Sequence, residues 1–163
     1  GKGATPIFRN EAAKYQAASR EFQSIISKSS YSKVAVIARY YLGLVRLRQG
    51  QTKEALQYLE SVSNSSKDRT VAYLARKVLA RQYLDTGNYK GAQELLEGMI
   101  RDPQCGLSKD DLSIELSRVL VAEGKRDEAL KVLRDAQSQT SGSLLQQQVI
   151  QELSKLLSSP ARP

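Results

Sequence analysis

The chain has 163 residues, 40% of them apolar, and carries 25 Lys and Arg against 17 Asp and Glu, a formal net charge of +8. That length fits one domain able to bury about 70% of its unfolded surface. No apolar run reaches the roughly 18 residues needed to span a membrane, no secretory signal is visible, although a mature form would lack one, and a single cysteine, Cys105, excludes an internal disulfide framework.

Taken in order, residues 1–6 are small and polar and are expected to fray. Residues 7–28 then follow a helical pattern. Within it Ala18, Phe22 and Ile25 stand 37 residues before Ala55, Leu59 and Val62, so the segment reads as the second helix of an earlier repeat. Its matching first helix is missing or replaced by the short run from Ile7. Two readings stay open: a fragment whose natural N-terminus lies upstream, or an N-terminal capping helix.

The first complete repeat spans residues 33–62, with helices near 33–49 and 52–62. Its first helix is apolar nearly all round (Val34, Ile37, Ala38, Tyr41, Leu42, Leu44, Val45 and Leu47), as expected of a helix packed by several neighbours. Its second helix carries Ala55, Leu56, Leu59 and Val62 as one stripe. Repeat two covers 70–101, with helices near 70–86 and 89–101. Repeat three covers 109–138, with helices near 109–123 and 126–138 and a capping-box pattern in Ser108 and Asp111. Residues 139–143 form a turn. The last helix, 144–157, shows Leu145, Val149, Leu153 and Leu156 on one face and glutamines on the other, as a solenoid cap requires.

The register is tight. Gly50, Gly87 and Gly124 lie 37 residues apart; eight before each stands Leu42, Leu79 or Leu116, and seven before it Gly43, Ala80 or Ser117. Five after each glycine stands Ala55, Ala92 or Ala129, and nine after it Leu59, Leu96 or Leu133. Small residues on both helices let their axes approach, and the glycine ends the first helix in a left-handed cap. One such hairpin cannot bury its own apolar surface, so neighbours must stack.

This order of Leu, small residue, Gly, Ala and large apolar residue resembles the tetratricopeptide repeat over roughly residues 11–157. That repeat usually has a period of about 34 residues. The extra three fall in the connections 63–69 and 102–108, since distances inside each hairpin are unchanged. The frequent Trp at the start of the repeat is absent, and only Pro103 matches its terminal Pro. The resemblance implies an all-α, right-handed α-solenoid of antiparallel helix pairs, with three repeats between an N-terminal helix and a capping helix.

The residues offer little to catalysis. There is no histidine, no phosphate-binding glycine loop and no cysteine pair, so no metal site or cofactor is expected. Cys105 reads as a spare loop thiol. Asp110 with Asp111, and Asp127 with Glu128, stand where negative charge complements a helix dipole. A non-enzymatic protein is expected.

What remains is a groove lined by first helices, where the family commonly contacts a peptide. The resemblance places those contacts at Ile37, Tyr40, Leu44, Leu47 and Arg48 in repeat one. In repeat two they fall on Leu74, Lys77, Arg81, Leu84 and Asp85, and in repeat three on Asp111, Ile114, Arg118, Val121 and Ala122. Tyr40 and Leu44 replace the Lys and Asn of the chaperone-binding clamp, which argues against that branch. The expectation is a groove with an apolar, tyrosine-bearing end and a basic middle of Lys77, Arg81 and Arg118, receiving an acidic and apolar segment of a partner protein. The alternative for these cations is solvation or pairing with neighbouring carboxylates.

Two other partners stay open. The face with Phe22, Ile25 and Ile26 could stack on a second copy as a homodimer. The net charge could serve a polyanion or nucleic acid, although no block of consecutive Lys and Arg occurs. The segment 14–59 is also similar to bacterial tetratricopeptide proteins held in the cell envelope by a membrane anchor. That suggests an anchor upstream and a periplasmic location, with the cytoplasm as alternative.

Overall fold

The computed structural model describes residues 10–139 and 144–159, with side chains of the last helix from Gln146 onward. The expected frayed residues 1–6, the helical start at Ile7, the turn residues 140–143 and the Leu145 side chain lie outside that range. The described residues form eight helices: α1 (Glu11–Lys28), α2 (Lys33–Arg48), α3 (Thr52–Ser63), α4 (Arg69–Asp85), α5 (Tyr89–Arg101), α6 (Lys109–Ala122), α7 (Arg126–Gln139) and α8 (Leu144–Ser158). No strand occurs among them.

Each first helix ends as its glycine dictates. Gly50, Gly87 and Gly124 adopt φ of 73°, 78° and 88°. In each case the glycine N–H donates to the carbonyl three residues back, and the next N–H to the carbonyl five back. The second bonds are Gln51 N to Arg46 O at 2.9 Å, Asn88 N to Tyr83 O at 2.8 Å and Lys125 N to Leu120 O at 2.7 Å. These are three copies of the Schellman motif, which satisfies carbonyls the helix end leaves open. Helix starts are capped by short polar side chains: Asn10, Ser32, Asn88 and Ser108 each accept from a backbone N–H in the first turn. The capping box at α6 is half made. Ser108 Oγ accepts from Asp111 N at 3.3 Å, but the Asp111 carboxylate turns instead to Lys77.

The chain divides into two compact units, Gly1–Ala75 and Arg76–Pro163, with the boundary inside α4. In the first, α2 packs against both α1 and α3. A Cβ placed on Gly43 would lie 2.9 Å from Leu59 Cγ, so the missing side chain is what lets α2 approach α3. Arg46 ties the three helices together. Its Nε lies 3.1 Å from Glu54 of α3, and its Nη1 donates to Gln49 at 2.8 Å and reaches the buried Ser19 of α1 at 3.5 Å.

In the second unit α6 packs against α5, α7 and α8, and α7 also packs against α8. Ile114, Leu133, Ala136, Val149 and Leu153 form a buried cluster with Leu130 and Leu156 packed on it. The C-terminal end of α8 is held by Arg126, whose guanidinium donates to the carbonyls of Leu156 and Ser159. Cys105 lies in the α5–α6 connection, the loop expected for it, and its thiol is buried there.

Candidate protein-binding surface

The predicted cations are engaged. Lys77 pairs with Asp111, Arg81 reaches Glu115 at 3.5 Å and Asp85 at 3.8 Å, and Arg118 contacts Glu152 at 2.8 Å and Glu115 at 3.4 Å. Lys77–Asp111, Arg81–Glu115 and Arg118–Glu152 all span 34 residues, three fewer than the 37-residue period. Arg81 and Arg118 are repeat equivalents, and so are Glu115 and Glu152, so one rung is built twice, from α4 to α6 and from α6 to α8. One repeat earlier the same positions hold Leu44 and Val78.

This corrects the expectation of a basic middle. The three cations, with Lys155 beside them at 3.5 Å from Glu152, face four carboxylates: Asp85, Asp111, Glu115 and Glu152. The local charge balances. Exposed pairs of this kind contribute about 0–1 kcal/mol each but cancel the field that would draw an acidic segment. Burial pushes the Glu152 carboxyl up, but the hydrogen bond and charge of Arg118, aided by Lys155, outweigh it and hold the group below its ordinary value. The Arg118 guanidinium is raised, chiefly by the hydrogen bond to Glu152.

Between α6, α7 and α8 lies a cavity of about 300 Å³. Its walls include three predicted contact positions, Arg118, Val121 and Ala122, with Ser117, Leu133, Glu152, Lys155, Leu156 and Ser159. Val121, Ala122, Leu133 and Leu156 supply its apolar lining, and Arg118, Glu152 and Lys155 its charged lining. The lining therefore combines apolar side chains with paired charges. The α8 side of this wall, Glu152, Lys155 and Leu156, was invisible to the family positions, which name only residues of one helix per repeat. Ile114, another predicted contact, is buried in the core cluster and does not line the cavity; it faces α7 and α8 because the next helix closes over it.

In the first unit the predicted tyrosine-bearing end is an aromatic stack. Phe22 of α1 lies parallel to Tyr41 at 5.8 Å, and Tyr41 meets Tyr40 edge to face at 5.3 Å. Burial first, and Tyr41 second, raise the Tyr40 phenol above its ordinary value. Ile37, Leu44 and Leu47 are half-buried and Arg48 is exposed; in α4, Leu74 and Leu84 are half-buried.

A second cavity, about 350 Å³, lies between α5, α6 and α7 and is lined by Ile100, Arg101, Lys109, Asp110, Asp135 and Gln139 among others. The adjacent carboxylates do helix-end work: Asp110 and Asp111 stand in the first turn of α6, and Asp127 and Glu128 in that of α7. Among the described residues no cluster of three His, Cys, Asp or Glu could hold a metal ion, and no helix is long and apolar enough to cross a membrane.

Two family models described as tetratricopeptide repeat match the chain, over residues 11–68 and 46–105. A crystal structure of a Podosopora anserina protein assigned as a kinesin light chain, a single-substitution variant with nearly identical TPR-like repeats, superposes with a TM-score of 0.73 at 22% identity. The match covers 90% of this chain and 78% of that one, and it shows the fold: an α-solenoid of helical repeats. No curated protein matches. Neither the family models nor this structure supports the envelope-associated branch.

Proposed function

We propose that this chain, which carries tetratricopeptide repeats over residues 11–105, is a protein-interaction scaffold that receives an apolar segment of a partner in the cavity between α6 and α8. Such repeats are generally non-catalytic platforms for protein–protein contact. The observation that carries the reading is that Arg118, Val121 and Ala122 of α6 line one cavity with Glu152, Lys155 and Leu156 of α8, where apolar side chains stand beside paired charges. That balance favours a partner with exposed apolar side chains and no strong net charge, in place of the acidic segment the sequence suggests.

A peptide-display selection against the chain tests this. Selected peptides should carry a central apolar residue and lose at least about tenfold in affinity, near 1.4 kcal/mol, on Val121→Glu. They should keep their affinity on Lys131→Glu, an exposed change on α7. Peptides that bind both variants alike would place the site elsewhere.

A further inference from the structure

Among the described residues four serines are buried: Ser19, Ser63, Ser113 and Ser117. Ser19 accepts from Arg46, Ser63 Oγ donates to Glu60 O at 2.8 Å, and Ser117 Oγ donates to Ile114 O at 2.7 Å. Ser113, 6% exposed, has no hydrogen-bond partner among the described residues. Buried polar side chains are bonded as a rule, and an exception asks for an explanation. Ser113 lines the cavity of about 350 Å³ between α5, α6 and α7. That volume falls in the range of small-molecule sites, roughly 300–1,000 Å³.

Five charged side chains stand on the wall of this cavity. Arg101 pairs with Glu97 at 3.4 Å, and Asp110 is engaged. Lys109 and Asp135 are exposed and, among the described residues, make no ion pair. They are opposite in sign and come from different helices, Lys109 from the first turn of α6 and Asp135 from the last two turns of α7. The helix ends act in the same sense, the start of α6 favouring an anion and the end of α7 a cation. Ile100, Leu116, Val132 and Ala136 supply apolar lining. The repeat itself does not require this set. One period earlier Lys109, Ser113 and Asp135 are Ala72, Arg76 and Gly98. Asp110 and Ala136 correspond there to Tyr73 and Met99, large side chains that are 4% and 1% exposed. The third repeat thus carries small side chains where the second carries large buried ones.

We propose that this cavity is a site for a small zwitterion with an apolar body, of the class of apolar amino acids and dipeptides. A ligand with one charge would be drawn by one of the two free groups and repelled by the other. A zwitterion satisfies both: its ammonium lies on the Asp135 carboxylate and its carboxylate on the Lys109 ammonium. Its apolar body rests on Ile100, Val132 and Ala136. The Ser113 hydroxyl, which can donate or accept, gains a partner in the polar end beside it. The site is independent of the proposed protein-binding cavity between α6 and α8, with which it shares no lining residue.

Amide chemical shifts of the chain, titrated into the millimolar range with leucine and with leucylleucine, read the outcome. At least one of the two should move the amides of Ile100, Ser113 and Val132 in a saturable way. Leucinamide, which lacks the carboxylate, and isocaproate, which lacks the ammonium, should each bind about fivefold more weakly. Asp135→Asn and Lys109→Gln should weaken the zwitterion by a similar factor. Ser113→Ala should weaken it without lowering the melting temperature, since the folded chain loses no hydrogen bond. Ala136→Met, which gives α7 the side chain that α5 buries as Met99, should abolish binding and keep the fold. Val121→Glu, in the other cavity, should bind as wild type does. Lining amides that neither zwitterion moves would overturn the proposal. So would singly charged analogues that bind as tightly, or binding that Asp135→Asn and Lys109→Gln leave unchanged.

Discussion

Gly43 and Gly98 both stand inside helices, and the same substitution should move stability in opposite directions at the two. A helical Gly costs roughly 0.5–1 kcal/mol relative to Ala. At Gly98 an added methyl group meets nothing within 4 Å, so Gly98→Ala should stabilise by about that amount. At Gly43 it meets Leu59 Cγ at 2.9 Å, and forcing a well-packed contact apart costs about 1–3 kcal/mol. Gly43→Ala should therefore destabilise, as denaturant midpoints for the pair would show. Gly87→Ala belongs to a third class: with φ at 78° and open space around it, the cost is backbone strain, about 1–2 kcal/mol. Gly43 and Gly87 were legible in the sequence because each one's role is set within its own hairpin. The partners of Lys77, Arg81 and Arg118 were not, because each lies 34 residues away and one repeat period does not bring it into register.

The terminal helix α8 is the element whose attachment rests on few named contacts. Arg126→Ala removes two donors from its last carbonyls and should cost about 1–2 kcal/mol, or roughly 2–4 °C in melting temperature for each kcal/mol in a chain of this size. Amides of α8 should exchange faster in the variant than those of α6. The Arg118–Glu152 rung adds a pH dependence. The Glu152 carboxyl is held below its ordinary value, so the folded state binds fewer protons than the unfolded one. Its contribution is present in full above the ordinary value and is lost as pH falls through the lowered one. Wild type should exceed Glu152→Gln in stability at neutral pH, with the gap closing as the solution is made acidic. Periodicity alone located α8 and its buried side. It could not tell that Glu152 and Lys155 form a cavity wall, since that depends on how α8 lies against α6.

Over the whole molecule, a net charge of +8 says less about ligand choice than the placement of the charges. The cations nearest the candidate site are matched by carboxylates, so peptide binding there should change little with salt, whereas a polyanion held by the excess charge would be released steeply. Repeat number and helix order were readable from residue spacing, because a solenoid is built from nearest-neighbour contacts that recur. How far the equivalent positions of α1 and α8 are buried became clear only in the structure, because register alone does not give exposure. The most direct test of the scaffold account is hydrogen exchange of the chain with and without a display-selected peptide. Protection confined to the C-terminal half of α6 and to α8, around Val121, Ala122 and Leu156, is the result expected. Protection of α5 and α7 around Ile100 and Asp135, with α8 unchanged, would contradict it.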